Sequence, residues 1–123
     1  MKVNKEISVN QLNGEEYELP LNLDDSSNID EFLNRNKHKK VVVVQGLGFV
    51  GAVMSLVCAN SGNDEYAVIG VDLLNVNTYW KIKSINEGFF PINASDPKIK
   101  EFYENTQKRG NFYATYDPYA YSK

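Results

Sequence analysis

The stretch Val41-Val42-Val43-Val44-Gln45-Gly46-Leu47-Gly48-Phe49-Val50-Gly51 decides how this chain is read. Four consecutive β-branched residues without alternation read as a strand buried on both faces of a parallel sheet. Three glycines follow in the spacing G-x-G-x-x-G. Val50, Val53, Met54, Val57 and Cys58 then recur at i, i+3, i+4, i+7 and i+8, which predicts a helix with these residues on its buried face. Strand, glycine turn and helix form the context in which this spacing points to dinucleotide binding.

Working outward, the helix is expected from about Phe49 to Asn60, where Ser61-Gly62-Asn63-Asp64 breaks the chain. A second apolar strand, Tyr66 to Val71, ends at Asp72. Two strands around one helix predict a right-handed βαβ unit with parallel strands. A helix follows from Thr78 to Asn86, with Asn75 or Asn77 as its cap and Gly88 as its stop. Phe89-Phe90-Pro91-Ile92 reads as an apolar loop. Asp96-Pro97 opens another helix with Ile99, Phe102, Tyr103 and Thr106 on its buried face and Gly110 at its end. Asn111 to Tyr116 is a third strand, and Asp117-Pro118 caps a further helical turn. Residues 39–123 thus read as an α/β domain, βαβααβ around a parallel sheet, half of a Rossmann fold.

Upstream, residues 5–21 read as a hairpin turning at Asn13-Gly14, with Pro20 confining its second strand to an edge. Ile29 to Asn36 reads as a short helix capped by Ser27 or Asn28, with Asp30 and Glu31 in its first turn. Residues 1–38 are therefore expected to be an extension packed on the main domain.

Composition narrows the function classes. The 123 residues carry a net charge of −3, with 42% hydrophobic and 24% charged side chains, which argues against a general nucleic-acid or membrane-surface binder. No signal peptide and no apolar run of ~20 residues is visible. A single cysteine suits a reducing compartment, and the cytoplasm is the expected location. Cys58 reads as a structural thiol and His38, among lysines, as a solvated histidine, so neither a metal site nor a nucleophile is expected here. Tyr113, Tyr116, Tyr119 and Tyr121 read as a strand face and a frayed tail rather than a base-stacking cluster, since no basic residues accompany them.

Each glycine of the fingerprint has its own expected task. Gly46 permits the tight turn, Gly48 lets a pyrophosphate approach the backbone, and Gly51 lets the helix pack on the strand. Backbone N–H groups around Gly48, Phe49 and Val50 lie at a helix N-terminus suited to a diphosphate. No lysine or arginine occurs between Val41 and Asp72. Asp72, 21 positions beyond Gly51, is placed to accept from ribose hydroxyls and to repel a 2′-phosphate, favouring NAD over NADP. FAD uses the same first unit and stays open. The candidate cofactor-binding residues are Gly46, Leu47, Gly48, Phe49, Val50, Gly51 and Asp72.

These motifs form an ordered series. Gly46-Leu47-Gly48-Phe49-Val50-Gly51 resembles the G-L-G-Y-V-G of the UDP-glucose/GDP-mannose dehydrogenase family, and Gly70-Val71-Asp72 resembles its G-V-D. Lys81-Ile82-Lys83-Ser84-Ile85-Asn86-Glu87-Gly88, then Pro91-Ile92 and Asp96-Pro97, is similar to its K-V-x-x-[IL]-N-x-G…P-I…E-P segment. Ala114-Thr115-Tyr116-Asp117 resembles its A-T-x-D. The chain departs from the pattern at Ala52-Val53, where Leu-Pro is common, and in a longer connection between Asp72 and Lys81, so the family's lysine contact to the ribose is not carried to Lys81.

The resemblance implies NAD as cofactor and a nucleotide sugar as substrate, oxidised at its C6 hydroxyl to a carboxylate in two steps. It also implies a catalytic cysteine with lysine and asparagine partners, all beyond position 123. This chain is thus expected to be the cofactor half-domain of a longer parent, with no catalytic residue of its own. Two rivals remain: another Rossmann oxidoreductase of the hydroxyacyl-CoA or 6-phosphogluconate dehydrogenase type, and a non-catalytic nucleotide-sensing module. In the strand order 3-2-1-4, the valine strand would lie at a sheet edge, covered by the Ile7 to Leu21 hairpin or by a second copy in a homo-oligomer.

Overall fold

The valine run lies in the first strand of a three-stranded parallel sheet. A computed structural model of the chain describes residues 6–21, 24–91 and 96–123; Ile92 lies outside them. A small antiparallel hairpin comes first, β1 (Ile7–Val9) with β2 (Glu16–Glu18), followed by α1 (Ser26–Arg35). The main unit is β3 (Lys40–Gln45), α2 (Phe49–Asn60), β4 (Tyr66–Val71), α3 (Tyr79–Asn86), α4 (Pro97–Arg109) and β5 (Phe112–Thr115). A 3-10 turn, Pro118–Ser122, ends the chain. The sheet order is β3-β4-β5, all parallel, with Val42 opposite Val68 and Val68 opposite Phe112. This is a partial Rossmann fold.

Alternate residues of β4 face two separate cores, as the period of two requires. Val68 joins Leu47, Leu56, Ala59, Ile82, Ile85, Tyr103 and Phe112 on the side of α2, α3 and α4. Ala67, Ile69 and Val71 join Ile29 and Phe32 of α1 and Ala120 of the last turn on the other side. Helices on both faces bury the central strand completely from Ala67 to Val71. The start and stop of α4 are as the sequence indicates: Asp96 Oδ1 accepts from the Lys98 N–H at 2.9 Å, and Gly110 closes the helix in the left-handed conformation.

Several local readings are corrected. The buried face of α2 is Ala52, Ser55, Leu56 and Ala59, whereas Val50, Met54 and Val57 are 71%, 51% and 47% exposed. Small residues let the helix lie close to the sheet, and the bulkier valines are turned away. The valine strand is buried on neither face completely: Val41 is exposed and Val42, Val43 and Val44 are half-buried, because β3 is an edge. The hairpin does not cover that edge. It packs on α3, where Ser8 Oγ donates to the Val76 carbonyl at 2.7 Å and accepts from the Trp80 N–H at 2.9 Å.

Helix α1 begins at Ser26, ahead of its expected start, so Asp30 and Glu31 fall outside its first turn. Its N-cap is Asp25, whose carboxylate caps nothing because it is engaged by β5. The N-cap of α3 is Thr78; Asn75 instead forms a turn just before it, Oδ1 accepting from the N–H groups of Asn77 and Thr78 at 2.9 and 3.1 Å.

Candidate nucleotide-binding site

The glycine loop and Asp72 meet at the carboxyl ends of β3 and β4, where ligands bind in open α/β sheets. Gly46 leaves β3 with φ at +90°, a conformation costly for any other residue, while its N–H donates to the Val71 carbonyl at 2.7 Å. Gly51 sits against that turn so tightly that a Cβ there would lie 2.0 Å from the Gly46 carbonyl oxygen. Gly48, the N-cap of α2, is the opposite case: a Cβ built on it meets nothing within 4 Å. The backbone is open to a ligand at that point. Amides in the first turn of α2 have no acceptor within the helix, and no side chain caps them. Donors and dipole together favour an anionic group.

Leu47 and Asp72 hold this loop in place. The Leu47 side chain is fully buried in the core, and a Cβ on Gly70 would come within 2.5 Å of Leu47 Cδ2. Gly70 therefore makes the socket into which the loop is anchored. Asp72 Oδ2 accepts from the Leu47 N–H at 2.9 Å, and Oδ1 accepts from the Leu73 N–H at 2.7 Å. Each carboxylate oxygen keeps acceptor capacity beyond these bonds. Asp72 thus ties the glycine loop to the end of β4 while remaining half-buried and able to receive further donors.

Two adjoining cavities border these residues. One, about 510 Å³, is lined by Gly46, Gly48, Phe49, Val50, Gly51 and Met54 among others. The second, about 360 Å³, is lined by Asp72 with Leu73, Tyr116, Pro118 and Tyr121. Gln45 and Gly46 line both, so the two form one cleft across the strand ends with the glycine loop at its middle. Of the residues singled out from sequence, Gly46, Gly48, Phe49, Val50, Gly51 and Asp72 border this cleft. Leu47 does not, since its side chain is in the core and its N–H is taken by Asp72. Sequence reasoning missed Leu73, Tyr116, Pro118 and Tyr121. The signal was Asp117-Pro118: Asp117 Oδ1 accepts from the Tyr119 N–H at 2.9 Å and starts the turn that carries Tyr121.

The remaining chemistry is sparse. Neither cavity is lined by lysine, arginine or cysteine. Cys58 is half-buried against the core, and His38 is exposed. No group of three or more His, Cys, Asp or Glu positioned for a metal ion occurs among the described residues, and no helix among them is long and apolar enough to cross a membrane. Burial pushes the Tyr116 phenol up to about 12, and burial together with the Asp72 charge raises that of Tyr121. Both phenols stay neutral donors at physiological pH.

No family model matches the chain, and no curated protein matches it. Among solved structures it is similar to NDP-N-acetyl-D-galactosaminuronic acid dehydrogenase from Methanosarcina mazei Go1, with a TM-score of 0.55 and 24% sequence identity over 71% of this chain. The chain spans 18% of that protein's length. The likeness shows a shared fold over the matched residues, the partial Rossmann arrangement described above.

Proposed function

We propose that this chain is the NAD-binding part of a nucleotide-sugar dehydrogenase that oxidises the C6 hydroxyl of a UDP- or GDP-sugar. The observation that carries the reading is the pairing of an open Gly48 backbone with an Asp72 carboxylate bonded to the same loop. The open backbone and uncapped amides of α2 would hold the diphosphate. Asp72 would accept from the adenosine ribose hydroxyls with its remaining lone pairs. Its negative charge, with no cation lining the cleft to offset it, disfavours a 2′-phosphate. The fold shared with a dehydrogenase supports the reaction class.

NAD, when bound, supplies the hydride acceptor; the residues of this chain bind and orient it. In this reading Asp72, already bonded to the glycine loop, serves the cofactor rather than the alcohol, and the sugar-binding and catalytic groups are proposed to lie in further sequence of a longer parent. Calorimetric titration with NAD and NADP tests the reading. The wild-type chain is expected to bind NAD about tenfold or more tightly than NADP. Asp72→Asn, which retains an acceptor for the Leu47 N–H but drops the charge, is expected to reduce that ratio toward one. Equal affinities in the wild type would overturn the ribose assignment.

A further inference from the structure

We infer that Tyr121, with Tyr116 and Leu73 around it, forms a stacking platform for a purine base in the cavity beside Asp72. The inference rests on the proposed NAD reading and adds a recognition element to it. The Asp72 cavity, at about 360 Å³, falls within the ~300–1,000 Å³ usual for small-molecule sites. Its composition is uneven. Asp72 is its one carboxylate, while Leu73, Tyr116, Pro118 and Tyr121 give it apolar and aromatic surface. A ribose held by Asp72 places its base within this same cavity, because the diphosphate end is fixed on the opposite side by the Gly46–Gly48 loop.

Tyr121 is suited to be the platform and Tyr116 to be the wall. Tyr121 is 50% exposed although it is a large aromatic on a built turn, so half of its surface has no partner within the described chain. The turn that holds it is anchored at both ends of its first half. Asp117 accepts from the Tyr119 N–H, Ala120 is fully buried in the core, and the Tyr119 hydroxyl donates to Asp30 at 2.8 Å. Tyr116 is fixed against Tyr79, their ring centroids 6.0 Å apart. A preorganised aromatic costs little to order on binding, and base–aromatic stacking needs no basic residue when the diphosphate is held elsewhere. The tyrosine cluster is thus more than a strand face and a tail.

The test measures ADP and NAD binding by calorimetry to the wild-type chain, Tyr121→Ala and Tyr121→Phe, with ring-current shifts of the adenine H2 and H8 protons followed by NMR. Tyr121→Ala is expected to weaken ADP and NAD alike by about tenfold and to remove most of the upfield shift. Tyr121→Phe, which keeps the ring, is expected to behave as the wild type in both measurements. Wild-type affinity in Tyr121→Ala would overturn the platform and leave the cofactor reading standing. Absence of NAD and ADP binding by the wild-type chain itself would overturn the cofactor reading and the platform with it.

Discussion

The two edges of the sheet are finished in opposite ways. At the β5 edge, side chains from distant sequence engage the strand on its open side and on one face. Asn86 brackets Ala114, its Nδ2 donating to the Ala114 carbonyl at 2.8 Å and its Oδ1 accepting from the Ala114 N–H at 2.9 Å, as a neighbouring strand would. On one face, the buried Asp25 carboxylate accepts from Tyr113 at 2.7 Å, Thr115 at 2.6 Å and Asn28 at 2.8 Å. At the β3 edge β4 is the one neighbouring strand among the described residues. Lys40 and Gly46 donate toward β4, so Val41, Val43 and Gln45 turn their backbone groups outward. The closed edge is where the fold is secured, and the open edge leads into the glycine loop.

The largest effect that would break this contrast is at Gly51. Gly51→Ala forces a Cβ into the Gly46 carbonyl, backbone against backbone, and is expected to cost about 3 kcal/mol or more. Gly48→Ala, in open space, is expected to leave stability within about 0.5 kcal/mol while weakening NAD. Urea melts of the two variants read both values, and equal costs would mean that the loop geometry is not as described. Next comes the closed edge. Asp25→Ala strands the Tyr113 and Thr115 hydroxyls and should lower stability by roughly 2–3 kcal/mol, without changing the NAD-to-NADP ratio. A changed ratio would mean that the two edges are coupled. The smallest effect is expected at Val41→Lys. Stability should stay within about 0.5 kcal/mol, and any concentration-dependent self-association measured by sedimentation should fall, since an edge lysine resists strand pairing.

What was legible in the sequence follows the same division. The β3–α2–β4 unit is specified by signals between Lys40 and Asp72, and the ends of α2 and β4 match the reading of the sequence. The glycine spacing and Asp72 belong to that unit, which is why six of the seven candidate residues border the cleft. The orientation of α2 was not legible. Periodicity pointed to the Val50–Met54–Val57 face, but apolar residues surround the helix and the Ala52–Leu56–Ala59 face is the buried one. The choice was made by size, through the close approach that Gly51 allows. Asp25 was hidden for a different reason. It stands in the polar run from Asp24 to Asn28, and the groups that give it meaning lie some 90 positions away.

That separation also bears on the order in which the molecule is made. Asp25 reaches Tyr113 and Thr115 across 88 and 90 positions, and its own N–H donates to Asp117 across 92. During synthesis α1 emerges early but finds its hydrogen-bonding partners only after β5 has left the ribosome. The β3–α2–β4 unit is mixed: β3 and β4 pair within a short stretch of sequence, while α2 packs on α4 and β4 on β5. Closing that long loop is entropically costly, so the docking of the first helix waits on the last strand of the sheet.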